Sequence, residues 1–145
     1  MLKEKLHKVI KVGLLLTVFL SVCAFAARAG RKDQSVWDGV YTDDQAARGK
    51  TAFDANCSSC HMLTSDFGGD TFMGRWKNHS AFDVFDVMST SMPMDRPGEL
   101  KKPMYADILA YFFQTNTFPS GATELAPDPD ALKQIRIEPK PLRSR

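Results

Sequence analysis

Cys57, Cys60 and His61 are the residues of this chain best equipped for chemistry, and they stand together as Cys57-Ser58-Ser59-Cys60-His61. This C-x-x-C-H run is the pattern for covalent attachment of a c-type haem. Two thiols three positions apart on one helical turn can each add to a haem vinyl group, and the imidazole that follows can reach the iron from one face. Neutral imidazole is a good iron ligand, and the thioether bonds keep the cofactor from being lost. A C-x-x-C pair by itself also serves disulfide exchange or half of a zinc site. Zinc needs two more Cys or His ligands, and beyond residue 29 the chain offers only His79 besides the motif. A thiol redox motif needs a preceding strand in a βαβ pattern, whereas the segment before Cys57 reads as helix.

The start of the chain decides the compartment in which those cysteines work. Residues 1–11 are basic, residues 12–27 carry no charge, and Ala24-Phe25-Ala26 or Ala27-Arg28-Ala29 supplies a small-residue cleavage site. Residues 1–29 therefore read as a secretory signal peptide, and the expected location is periplasmic. The uncharged run of 16 residues falls just short of the roughly 17–25 that span a bilayer as a helix. Membrane anchoring is thus expected only if the signal is retained. Cys23 lies in the apolar run after Val22, where a lipid-attachment site would have a small residue, so cleavage leaves Cys57 and Cys60 alone.

Of 145 residues, 116 remain after residue 29, enough for one domain with one hydrophobic core. Hydrophobic residues at 43% and charged residues at 25% exclude a disordered or multi-span membrane protein. Five of the 19 Lys and Arg and one of the 17 Asp and Glu lie in the leader, so the whole chain's charge of +2 becomes −2 from Gly30 onward. A faintly acidic exported domain lacks the clustered cations that bind phosphate, and no nucleic-acid partner is expected.

The elements that must position the motif can be read in outline. Residues 30–41 form an irregular lead-in, residues 42–121 the domain proper and residues 122–145 a Pro-rich C-terminal extension. Thr42-Asp43-Asp44-Gln45 predicts a capping box, with Thr42 as the cap and Gln45 reaching back, opening a helix that runs to about Asn56. Ala46, Gly49 and Phe53 recur at helical spacing, and Gly49 is small enough for another helix to cross closely. Residues 62–78, with Gly68, Gly69 and Gly74, read as a loop wrapped over the haem edge. A helix over 80–90 presents Phe82, Phe85 and Met88, or Val84 and Val87. Pro93 and Pro97 make the next stretch a loop, and Pro103 opens a last helix with Tyr105, Ile108, Leu109 and Phe112 as its stripe, ending near Asn116. Leu132, Ile135 and Ile137 can lie back on the domain, and residues 139–145 read as disordered.

An electron-transfer haem needs a second axial ligand, and a Met thioether raises its reduction potential relative to a second His. Met62 adjoins His61 and cannot reach the far face, Met73 lies close to the proximal segment, and Met88 and Met104 fall at core spacing. Met92 and Met94 remain, 31 and 33 residues beyond His61. Pro93 stiffens the backbone directly after Met92 and favours it, with Met94 and His79 as rivals. Trp76 and Arg75 are candidates to meet the haem propionates.

Gly49 and Phe53 before the Cys-His motif, the Met92-Pro93 step and Tyr105-Ala106-Asp107-Ile108-Leu109-Ala110-Tyr111 together make the chain resemble the class I cytochromes c over about residues 37–121. The resemblance implies an all-α class I cytochrome c fold, three to four helices around one covalently attached haem c. It also implies a crossing that brings Gly49 and Phe53 against Ile108 and Tyr111, with Met92 as the matching axial ligand. Tyr41 to Gly49, Met92-Pro93 with Pro97-Gly98, and Asn116 to Gly121 are similar to small bacterial cytochromes found beside quinoprotein dehydrogenases. The chain departs from the pattern in having Met62 where Gly often follows the haem His and no Pro between Met62 and Met92. In that family a backbone carbonyl beside such a Pro commonly accepts the proximal His N–H, so the group that orients His61 is left open.

The resulting expectation is a periplasmic monohaem electron carrier with Cys57, Cys60, His61 and Met92 at its cofactor and His61 and Met92 on the iron. It is not an enzyme by itself, although it could serve as the haem subunit of a dehydrogenase. A quinoprotein (PQQ-dependent) dehydrogenase would donate electrons, and a terminal oxidase or another cytochrome would accept them. The rival reading is an open-site haem protein, a gas sensor or peroxidase, in which Met92 does not close the coordination shell.

Overall fold

The computed structural model describes residues 33–141, and both the leader with Cys23 and residues 142–145 lie outside it. Two helices set the frame. Asp43–Asn56 (α1) is opened by Thr42, whose hydroxyl accepts the Gln45 N–H at 3.1 Å, with Asp43 and Asp44 favourably placed in the first turn. Lys102–Thr115 (α5) starts with Pro103 in its first turn, where a missing N–H costs nothing. The two make the most extensive helix–helix contact of the structure. At the crossing, a methyl group on Gly49 would lie 1.8 Å from the Asp107 carbonyl oxygen, so no larger residue permits this approach. Phe53 meets Tyr111 and Phe112 edge-on with ring centroids 6.0 and 5.9 Å apart, as the crossing requires.

Between these helices the chain forms Leu63–Phe67 (α2), Gly69–Trp76 (α3) and Ala81–Ser91 (α4). The first two correct the expectation of a loop over residues 62–78. Neither is long enough to show a periodic stripe, and they are held by docking: Phe67 stacks on Phe112 at 4.3 Å and Phe72 is fully buried. The α4 helix opens on a capping box, with Ser80 and Asp83 satisfying each other's backbone N–H groups. Its Val84, Phe85 and Met88 are buried.

The ends of the domain differ most from expectation. Gln45 does not reach back to its own cap. It is buried, donates from Nε2 to the Leu125 carbonyl at 2.9 Å and accepts the Leu125 N–H at 2.7 Å, because a buried amide is best satisfied by a two-way bond to backbone. Leu125, Leu132, Ile135 and Ile137 are buried in the same core as Phe112 and Phe113. Pro129–Lys133 forms a further short helix, α6, capped by Asp128. The lead-in is not irregular: Gln34–Ser35 (β1) pairs in parallel with Ile135–Arg136 (β2), and Val36–Asp38 is a 3-10 turn with its own capping box. Among the described residues no helix is long and apolar enough to cross a membrane.

Candidate haem-binding site

The end of α1 winds directly into the cysteine motif. Cys57 donates its N–H to the Phe53 carbonyl at 2.8 Å, and the Cys60 and His61 N–H groups both turn back to the Cys57 carbonyl, at 3.1 and 2.9 Å. This tight turn brings both side-chain thiols and the imidazole to one cavity of about 490 Å³. Both thiols are free. Cys57 is half-buried, Cys60 is exposed, and burial pushes the Cys57 thiol above its ordinary pKa.

His61 is gripped from behind by α2. Its Nδ1 lies 3.3 Å from Asp66 Oδ2, which also accepts the Met62 N–H at 3.0 Å, while Oδ1 accepts the Ser65 hydroxyl at 3.0 Å. The Met62 N–H, then the Ser65 hydroxyl and the His61 ring, hold the Asp66 carboxyl below the usual carboxylate range. An ionised carboxylate only accepts, so Nδ1 carries the proton and Nε2 presents its lone pair. Among the described residues Nε2 has no hydrogen-bond partner. Phe67 meets the imidazole edge-on at 5.1 Å and is itself stacked on Phe112, which fixes the ring from a second direction.

The methionines reach the same cavity from the end of α4 and the loop after it. Met92 is the last residue of the α4 turn, donating its N–H to the Met88 carbonyl at 3.0 Å. Its own carbonyl accepts the Tyr105 hydroxyl at 2.6 Å and the Gly98 N–H at 3.4 Å, and Pro93 after it is buried. Met92, Met88 and Met94 all line the cavity, but Met94 is 80% exposed. Met62, Met73 and Met104 do not line it. Nor does His79, which lies 3.5 Å from Asp83 and packs edge-on against Trp76 at the start of α4. Arg75 and Trp76 reach the cavity, and among the described residues Arg75 makes no ion pair.

Cys57, Cys60, His61 and Met92 are thus brought to one cavity, with Trp76 and Arg75 at its edge. Asp66, Phe67 and Tyr105 are the positioning residues that sequence reasoning missed. The helix that carries Asp66 starts at Met62 with no side-chain cap, so no local start signal announces it. Tyr105 falls on the core stripe of the last helix, and nothing local tells where its hydroxyl goes.

The donor set fits a covalently attached haem: two free thiols, an imidazole with an open Nε2 and a thioether, between walls that include Phe53, Val84, Ile108 and Phe112. The volume falls in the roughly 300–1,000 Å³ range of cofactor-sized sites. Among the described residues no group of three His, Cys, Asp or Glu side chains is placed to hold a metal ion by itself. Residues 44–112 match the family model described as cytochrome c oxidase, cbb3-type, subunit III. They form a class I c-type cytochrome domain. The all-α class I cytochrome c fold is the architecture of α1 to α5, with short α2 and α3 bringing the count above the three to four helices expected. No curated protein and no solved structure matches the chain. The cytochrome domain supports a haem-based electron-transfer protein with covalently bound haem c, its iron and redox partners.

Proposed function

We propose that this cytochrome is a periplasmic monohaem carrier of single electrons, tethered to its haem through Cys57 and Cys60 and ligating the iron with His61 and Met92. The observation that carries the reading is the convergence of these four side chains on one cavity. When bound, the haem supplies one-electron exchange between ferric and ferrous iron. His61 offers Nε2 because Nδ1 is committed to Asp66, and Met92 offers a neutral sulfur that favours the ferrous state. Phe53, Ile108 and Phe112 line the cavity and would present an apolar wall to the bound cofactor. Held by His61 and Met92, the iron would exchange electrons without offering a site to a substrate.

A single C-x-x-C-H motif supports a single haem, and the layout of residues 1–29 supports export to the periplasm. A quinoprotein (PQQ-dependent) dehydrogenase is the proposed donor, and a terminal oxidase or second cytochrome the proposed acceptor. A small, weak interface suits such rapid exchange.

The test is the absorption spectrum of protein exported with a haem-attachment system, oxidised and reduced, with and without carbon monoxide. A six-coordinate low-spin spectrum that carbon monoxide leaves unchanged supports the carrier. Carbon monoxide binding would favour an open-site sensor or peroxidase, and absence of covalent haem on a denaturing gel would overturn both.

A further inference from the structure

We propose that Asp66 is a positioning residue that fixes the tautomer and orientation of His61 and, as a carboxylate partner of the ligand ring, lowers the reduction potential of the iron. The inference rests on the proposed ligation by His61. Its geometry is independent of the distal ligand: Nδ1 to Oδ2 is 3.3 Å, and the same carboxylate is anchored by the Met62 N–H and the Ser65 hydroxyl, so it cannot swing away without losing two further bonds. The anchoring is built into α2, whose first turn places Asp66 one turn beyond Met62. Phe67, the next residue, closes the other side of the ring.

The direction follows from charge. A hydrogen bond from Nδ1–H to an anion makes Nε2 a stronger donor, and stronger donation stabilises the more positive ferric iron. A neutral carbonyl acceptor would orient the ring equally well with less of this effect. Partners of this kind typically change a ligand site by about 10–100-fold when removed. The Asp66 side chain is 39% exposed, and solvent screening places the effect at the lower end, about tenfold in the redox equilibrium.

The experiment measures midpoint potentials of the exported holoprotein and of Asp66→Ala, Asp66→Asn and Asp70→Asn. Asp70 is an exposed carboxylate in the first turn of α3, so Asp70→Asn removes the same charge without touching His61. Asp66→Ala should shift the equilibrium about tenfold toward ferrous iron, which is about 59 mV upward for a one-electron couple. Asp66→Asn keeps an acceptor oxygen and should fall between parent and Asp66→Ala, while Asp70→Asn moves less than threefold. Nuclear magnetic resonance of the His61 Nδ1 proton gives a second readout, expected to be protected from solvent exchange in the parent and to lose protection in Asp66→Ala. If both Asp66 variants keep the low-spin spectrum and shift no more than Asp70→Asn, the proposal fails and the carrier stands. An unprotected Nδ1 proton in the parent would also overturn it. A parent without His61 on the iron would overturn proposal and carrier together.

Discussion

The wall that carries His61 and the wall that carries Met92 hold their side chains by opposite means. Imidazole has two nitrogens, so the protein grips His61 by the ring itself, with Asp66 on Nδ1 and Phe67 against its edge. A thioether has no donor and only a weak acceptor, so nothing polar can grip Met92 by its sulfur. There the protein grips the backbone: the Tyr105 hydroxyl holds the Met92 carbonyl at 2.6 Å, the α4 turn holds its N–H, and Pro93 limits the next φ. The comparison teaches that the proximal side is set by side-chain chemistry within ten residues of the motif, and the distal side by a contact from α5. It also predicts that the two walls fail differently.

The largest expected effect is on the proximal side. Phe67→Ala removes the ring that stacks on Phe112 and borders His61, and should cost about 3 kcal/mol of stability, near the lower end for a large aromatic because Phe67 is only half-buried. Denaturant unfolding of the holoprotein measures it. A loss confined to a few tenths would mean that α2 does not support the site.

On the distal side, Tyr105→Phe keeps the packing and removes one hydroxyl from the Met92 carbonyl. The expected cost is about 1 kcal/mol, from a part-buried acceptor left with the Gly98 N–H alone. Carbon monoxide should bind the reduced variant faster than the parent, whereas Phe67→Ala should not show that gain at matched stability. Equal gains in the two variants would erase the distinction between the walls.

The smallest effect lies at the start of α4, upstream of Met92. Burial works to raise the Asp83 carboxyl, but the Ser80 N–H and hydroxyl and the nearby His79 ring leave it below the usual carboxylate range. Because the folded-state value is depressed, this contribution is complete at neutral pH and fades as pH falls through that value. Asp83→Asn should cost about 0.5 kcal/mol at pH 7, because solvent screens a side chain 43% exposed, and the gap from the parent should narrow below about pH 4. Thermal unfolding across that range checks the sign, and a gap that widens in acid would contradict it.

The chemistry of Cys57, Cys60 and His61 was legible because a covalent cofactor needs those residue types in that order. The frame was legible for a similar reason: Thr42 at a cap, Gly49 at a crossing and Pro103 at a first turn each have one local cause. What was not legible depends on partners far along the chain. Residues 62–78 are Gly-rich and lack periodicity, yet Phe67 and Phe72 find the α5 and Phe118 aromatics and hold two short helices. Gln45 has a textual partner three residues earlier but a better one at Leu125, 80 residues later. The pairing of Gln34 with Ile135 joins the two ends of the domain, and no local pattern announces it. The group on His61 Nδ1 is hidden for a different reason: Asp66 is near in sequence, but it sits on a short helix with neither a side-chain cap nor a periodic stripe.

Met92, held by its backbone, would be the second protein ligand of the iron beside His61. Absorption spectra of Met92→Ala and Met94→Ala, each exported with its haem attached, test it most directly. Met92→Ala should turn high-spin and bind carbon monoxide when reduced, while Met94→Ala, altering a side chain 80% exposed, should keep the parent spectrum. A low-spin, gas-insensitive Met92→Ala protein, or a high-spin Met94→Ala protein, would contradict it.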